Sequence, residues 1–233
     1  MPASTTRRSF LVLSGVGLGL ASSVPALAQD DIDVPTVPPP KFATALFDGK
    51  DLSGWVSRSG GPAGWKVRGS YMEVTPGSGA IHTKRTFSDF QLHLEFWLPY
   101  LPEAKGQARA NSGVYLQGRY EIQVLDSYGL ESKDDDCGAI YKIAAPLMNA
   151  GKKPQTWQKY DVAFRAPRAD ASGKLTEKAR VTVFQNSVMI HDNLEITATG
   201  GALDSEIFKP GPILLQNHGN LVRYRNIWII PVK

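Results

Sequence analysis

Polar and apolar positions alternate along most of the chain, and the longest run with a period of two is Phe90–Leu98. Phe90, Leu92, Leu94, Phe96 and Leu98 share one face, and Gln91, His93, Glu95 and Trp97 share the other. That period predicts a strand with one face in a core, and His93 reads as an exposed strand position. Asn111–Asp126 predicts two strands broken by a tight turn at Gly118-Arg119. In the second, Tyr120, Ile122 and Val124 point inward and Glu121 and Gln123 outward. Ile213–Gly219 repeats the pattern, with Gln216 and His218 on one face and Leu215 on the other.

Further strands are expected at Ala45–Phe47, with Trp55 returning to the core after an Asp48-Gly49 turn, and at Ala139–Ile143, Tyr160–Arg165 and Leu221–Ile230. Hairpins are expected around Gly69 and around Asn186-Ser187, residue types that tolerate left-handed turn positions. No segment of about twelve residues or longer carries a helical period. Short strands punctuated by Gly and Pro, without βαβ alternation, predict an all-β fold, a two-sheet antiparallel sandwich of jelly-roll type.

Composition divides the chain. Thr6-Arg7-Arg8-Ser9-Phe10-Leu11, an apolar stretch to Leu20 and Ala26-Leu27-Ala28 form a twin-arginine export signal over residues 1–28. The apolar stretch is about half the ~20 residues a spanning helix needs, so no stable membrane insertion is expected after cleavage. The expected location is periplasmic or secreted. Residues 29–41 include Pro35, Pro38, Pro39 and Pro40 and read as an extended linker. Residues 42–233 form the folded domain.

The leader carries two arginines and no acids, so of 26 basic residues 24 remain against 22 acidic ones. With no basic stripe interleaved with aromatics, nucleic acid is not an expected partner. Cys137 is the single cysteine, which rules out an internal disulfide and reads as a buried, inert thiol. The acidic run Asp134-Asp135-Asp136 matches no EF-hand spacing and reads as a solvated loop.

Several stretches occur in a specific order: Leu46–Trp55, Phe90 with Glu95, Asn111-Ser112-Gly113-Val114, Tyr120–Asp126, Gly138-Ala139-Ile140-Tyr141, Trp157, Ile213–Gly219 and Arg225-Asn226-Ile227. Together they resemble the 3-keto-disaccharide hydrolase domain family over nearly all of residues 42–233. The one departure is Gln185-Asn186-Ser187, where the resemblance leads one to expect Asn-Gly at the turn. The resemblance implies a concanavalin A-like jelly roll with a groove on one sheet, and cleavage of glycosides already oxidised at the sugar C3. It also implies a functional link to the sugar C3 oxidoreductase that makes the ketone.

On such a substrate the ketone acidifies C2–H. A base forms the enolate, the enolate expels the glycosidic oxygen from C1, and water then adds back. The chemistry needs a base, an acid and donors to the enolate oxygen. His218, Glu121 and Asp126 are the candidate acid–base residues, His218 being the natural base at neutral pH. Gln123, Gln216, Arg225, Asn111 and Tyr141 are the candidate sugar-binding residues, with Arg225 supplying permanent charge. A divalent cation held by Glu121, Asp126 and His218 would also stabilise an enolate, but the spacing has no metal signature and the metal is left unassigned. The same groove would also serve a non-catalytic, lectin-like carbohydrate-binding module.

Overall fold

A computed structural model describes residues 36–232; the expected export signal and the first part of the expected linker lie outside them. Among the described residues the strands are β1 (Thr44–Phe47), β2 (Trp55–Ser57), β3 (Lys66–Arg68), β4 (Tyr71–Glu73), β5 (Ile81–Thr83), β6 (Asp89–Trp97), β7 (Ser112–Leu116), β8 (Tyr120–Val124), β9 (Gln158–Arg165), β10 (Arg168–Ala169), β11 (Leu175–Glu177), β12 (Ala179–Gln185), β13 (Val188–Ile196), β14 (Leu214–Leu215) and β15 (Arg223–Val232). The helical content is one 3-10 turn, Gly106–Ala108.

The strands form the predicted antiparallel jelly-roll sandwich. One sheet runs β13-β12-β9-β6-β15-β4-β3, with β1 also paired to β15; the other runs β2-β5-β14-β7-β8. The inward face of β6 meets Val114, Leu116, Ile122 and Val124 of the opposing sheet in a single core. Each of these large apolar side chains stabilises the fold by about 1.5–3 kcal/mol when fully buried. Tyr120 packs on Phe164 across the sheets at 5.3 Å between ring centroids. Two hydroxyls tie the sheets together: Tyr160 donates to the Gln123 carbonyl at 2.7 Å and Tyr224 to Ser112 Oγ at 2.8 Å. Buried Cys137 sits beside Tyr160, as expected of an inert thiol.

Several local expectations are corrected. The β7–β8 connection is a three-residue loop, Gln117–Arg119, with Gln117 and Gly118 both left-handed at φ of 51° and 69°, where a two-residue turn at Gly118-Arg119 was predicted. Ala139–Ile143 is a tight turn rather than a strand, with Lys142 at φ 59° and Ile140 bridging Ile122 and Ala144. The 168–177 ribbon, β10 with β11, was not predicted. Asn186 and Ser187 do take left-handed positions between β12 and β13.

The outward face of β6 is covered from His93 to Trp97, and of its predicted outward residues Gln91 remains exposed. His93 is fully buried, hydrogen-bonded to Asp161 at 2.6 Å and stacked on Trp228. The end of the expected linker is also docked there. The Val37 N–H donates to Glu95 Oε1, and its carbonyl accepts from Asn226 Nδ2 at 2.8 Å.

Candidate functional site

The β7–β8 turn decides which side chains meet. With the three-residue loop Gln117–Arg119 centred on Gly118, Tyr115 stands opposite Glu121 and Gly113 opposite Gln123, all on the face turned away from the core. On the other side of β7, β14 pairs Leu214 with Tyr115 and Leu215 with Val114. Just past β14, Gln216 N–H donates to the Gly113 carbonyl, and the Gln216 side chain comes to lie beside Tyr115. The result is a cavity of about 290 Å³ floored by Glu121, Gln123 and Tyr115 and walled by Asn111, Tyr141, Gln216 and His218.

Glu121 is 2% exposed. Its N–H is held by Thr199 Oγ1 at 3.0 Å, and its Oε2 accepts from the Tyr115 hydroxyl at 2.8 Å. Burial raises the carboxyl pKa and the Tyr115 hydrogen bond lowers it; the balance leaves Glu121 at about 7. A carboxyl there takes up and releases a proton at neutral pH. Gly113 makes the room, since a Cβ at that position would fall 2.2 Å from Glu121 Oε1.

The three carboxamides are not equivalent. Asn111 Nδ2 donates to the Gln107 carbonyl and side-chain oxygen, and Gln123 Nε2 donates to the same Gln107 Oε1 at 2.8 Å. Gln107 Nε2 in turn donates to the Asp135 carbonyl at 2.7 Å. These bonds fix the wall and spend its donors. Gln216 Nε2 donates to the Tyr115 oxygen at 3.3 Å, which leaves its second hydrogen for a ligand. His218 stands exposed at the rim, on a loop pinned by Asn217, which donates to the Thr75 carbonyl at 2.7 Å. Half-buried Tyr141 is placed by its N–H, which donates to the Glu121 carbonyl at 3.1 Å. The acidic run serves this wall as well: Lys142, next to Tyr141, pairs with Asp134 and Asp135.

Residues 43–230 match the family described as the 3-keto-alpha-glucoside-1,2-lyase-like domain. The chain belongs to that family. The fold of this lyase-like domain is similar to that of a candidate glycosyl hydrolase from Parabacteroides distasonis ATCC 8503. The two share 38% identity at a TM-score of 0.76, over 85% of this chain and 93% of that one. A second structure of that description from the same organism shares the fold at 21% identity and a TM-score of 0.58, over 82% and 94% of the two chains. No curated protein sequence matches the chain.

Six of the eight expected site residues gather at the cavity: Glu121, His218, Gln123, Gln216, Asn111 and Tyr141. Two do not. Asp126 lies beyond the end of β8, its Oδ2 bonded to Arg109 at 2.9 Å and its Oδ1 capping the Tyr128 N–H. It anchors a chain reversal instead of facing the cavity. Arg225 is in β15, on the outward face of the other sheet. There it stands opposite Glu95, bonds it at 2.7 Å and stacks 4.1 Å above the Trp157 ring.

With Asp126 turned to Arg109, the donor set Glu121, Asp126 and His218 is not assembled. Among the described residues, no group of three or more His, Cys, Asp or Glu side chains could hold a metal ion. Tyr115, Gln107 and the Gly200-Gly201 loop line the site but were not predicted. Counting the β7–β8 pairs back from the correct turn would have found Tyr115.

Proposed function

We propose that this lyase-like domain is an exported carbohydrate-active enzyme that cleaves the glycosidic bond of 3-keto-glycosides by C2 deprotonation, elimination and water addition. The observation that carries the reading is Glu121, a buried carboxyl at about pKa 7 on the floor of a polar cavity. A base for a C–H made acidic by an adjacent ketone works best when its pKa lies near the working pH. The family match supports a carbohydrate substrate, as does the likeness to a structure described as a glycosyl hydrolase.

In this reading Glu121 takes the C2 proton, and the exposed His218 donates one to the leaving oxygen. With Arg225 on the other sheet, the enolate oxygen at C3 is met by neutral donors, chiefly the second amide hydrogen of Gln216. Asn111 and Gln123 hold the wall against which the sugar sits, and Tyr141 offers a ring face to it. Water adds at C1 and gives a proton back to His218, and Glu121, its proton exchanged with solvent, protonates C2 to complete hydrolysis. The substrate must come from an oxidoreductase acting at the sugar C3, and residues 1–28 would send the protein out by the twin-arginine route.

The test is release of nitrophenol from a nitrophenyl 3-keto-glucoside by the chain lacking residues 1–28. Elimination and re-addition places one solvent deuterium at C2 when the reaction runs in D₂O, and Glu121→Gln should lower kcat/KM by about 10²–10⁴-fold. Sugar binding without turnover of any 3-keto-glycoside would overturn the enzyme in favour of the lectin-like module.

A further inference from the structure

The Tyr115 hydroxyl has three neighbours and one hydrogen. Glu121 Oε2 lies 2.8 Å away, the Gly200 carbonyl 3.0 Å, and Gln216 Nε2 3.3 Å. A phenol carries one donor and two acceptor lone pairs. Gln216 can only donate and the Gly200 carbonyl can only accept, so the partner that varies is Glu121. We propose that Tyr115 is a positioning residue for Glu121, its one hydrogen alternating between the Glu121 carboxylate and the Gly200 carbonyl as the carboxyl gains and loses a proton. The proposal deepens the acid–base reading of the cavity and rests on it only for its kinetic consequence.

The proton count closes. With Glu121 ionised, Tyr115 donates to Oε2. When Glu121 takes a proton, its O–H donates to the Tyr115 oxygen, and the phenol hydrogen turns to the Gly200 carbonyl. No proton leaves Tyr115, whose own pKa is raised by burial and the Glu121 charge. Glu121 therefore keeps a hydrogen-bond partner in both states, and the buried site does not reorganise when the proton arrives.

The second acceptor is held in place. Arg58 donates from Nη1 to the Gly201 carbonyl at 2.9 Å and from Nη2 to the Ala202 carbonyl at 2.7 Å. Gly201 takes φ 77°, and a Cβ there would lie 2.6 Å from the Tyr115 oxygen. The loop thus passes directly over the hydroxyl, and only glycine allows it. The other titratable or charged groups facing this pair are Tyr141 and His218 of the cavity, Arg58 at the loop, and Tyr224 from the core side.

The experiment is a titration of Glu121 by ¹³C NMR of carboxyl-labelled glutamate in the native protein and in Tyr115→Phe. A carboxylate loses more than its acid form when a donor is removed, so the midpoint should rise by about one pH unit. The rate carries the same signature: kcat/KM of Tyr115→Phe at pH 7 should fall about fivefold from ionisation and recover near pH 9, which loss of packing would not do. Gly201→Ala, which drives the loop into the hydroxyl, should move the midpoint in the same direction. An unchanged Glu121 midpoint in both variants would overturn the proposal. Inactivity on 3-keto-glycosides with a shifted midpoint would instead overturn the reaction and leave the pairing standing.

Discussion

Gly113→Ala is the sharpest probe of the cavity floor, because its whole effect should pass through one carboxyl group. Gly113 does not have a left-handed backbone, so alanine costs nothing in φ and ψ. The new Cβ would lie 2.2 Å from Glu121 Oε1 and 3.0 Å from Glu121 Cδ, whereas ordinary contact begins near 3.4 Å. The carboxyl must therefore move by about 1 Å, away from its bond to Tyr115. Overpacking of this kind costs about 1–3 kcal/mol, or roughly 3–10 °C in Tm for a domain of this size. A displacement of about 1 Å in a reacting group lowers turnover by about 10²-fold. The assay is a double-mutant cycle with Glu121→Ala, read by urea unfolding and by nitrophenol release. With the carboxyl gone, the added methyl has room, and its cost should fall below about 0.5 kcal/mol with no further loss of rate. If the two substitutions add in stability and in rate, Gly113 does not act by making room for Glu121, and the account of the floor is wrong.

Two further outcomes concern the opposite face. Arg225→Ala strips a partner from buried Glu95 and should lower stability by about 3–5 kcal/mol, with kcat/KM unchanged below the unfolding temperature. A large rise in KM would return Arg225 to the substrate site. His93 should make stability fall on the alkaline side. Burial alone would depress its pKa, but Asp161 and Glu95 outweigh burial and raise it above 6.5. Its contribution is therefore complete below pH 6.5 and lost as pH rises through the higher folded value. The depressed carboxyls of Glu95 and Asp161 work the other way, their contribution lost only in acid. The urea midpoint should decline more steeply above pH 6.5 in the native protein than in His93→Gln, which keeps only the decline that the raised Glu121 carboxyl imposes near pH 7.

The sandwich was legible because β6 and β8 alternate cleanly enough that a slip of one residue would turn every apolar side chain to solvent. The same parity put Glu121 and Gln123 on one face and Gln216 and His218 on theirs. What failed was pairing. Placing the turn at Gly118-Arg119 sets Leu116, not Tyr115, opposite Glu121, so a single residue of register hid the hydroxyl that partners the carboxyl. Arg225 failed for a longer-range reason. Alternation carried back from Ile227 and Ile229 would turn Arg225 inward, but a bulge between Arg225 and Trp228 turns it outward, and which sheet β15 joins depends on pairing with β6, more than a hundred residues away. Likewise, His93 looked exposed because nothing local announces Trp228 stacking on it and Asp161 and Asn226 bonding its ring nitrogens.

Each outer face of the sandwich buries a glutamate, and the surroundings of each decide what it can do. Glu95 is 5% exposed and Glu121 2%, so desolvation pushes both toward the neutral acid. At Glu95 that push is outweighed by hydrogen bonds from His93, Asn226 and Arg225 and by the Arg225 charge, and the pKa falls below 4.5. Its oxygens are spent on those donors, and near neutral pH it stays an anion with no tendency to take a proton. At Glu121 the side-chain donor is the neutral Tyr115 hydroxyl, and none of the described residues lining the cavity is Lys or Arg. Desolvation then prevails, and the carboxyl rests at about 7. Two carboxyls at matched depth are driven apart in proton affinity by the presence or absence of a cation. Arg225 therefore suits the proposed elimination best where it is: a guanidinium beside Glu121 would bind substrate hydroxyls, and would also lower the carboxyl's proton affinity and weaken it as the base.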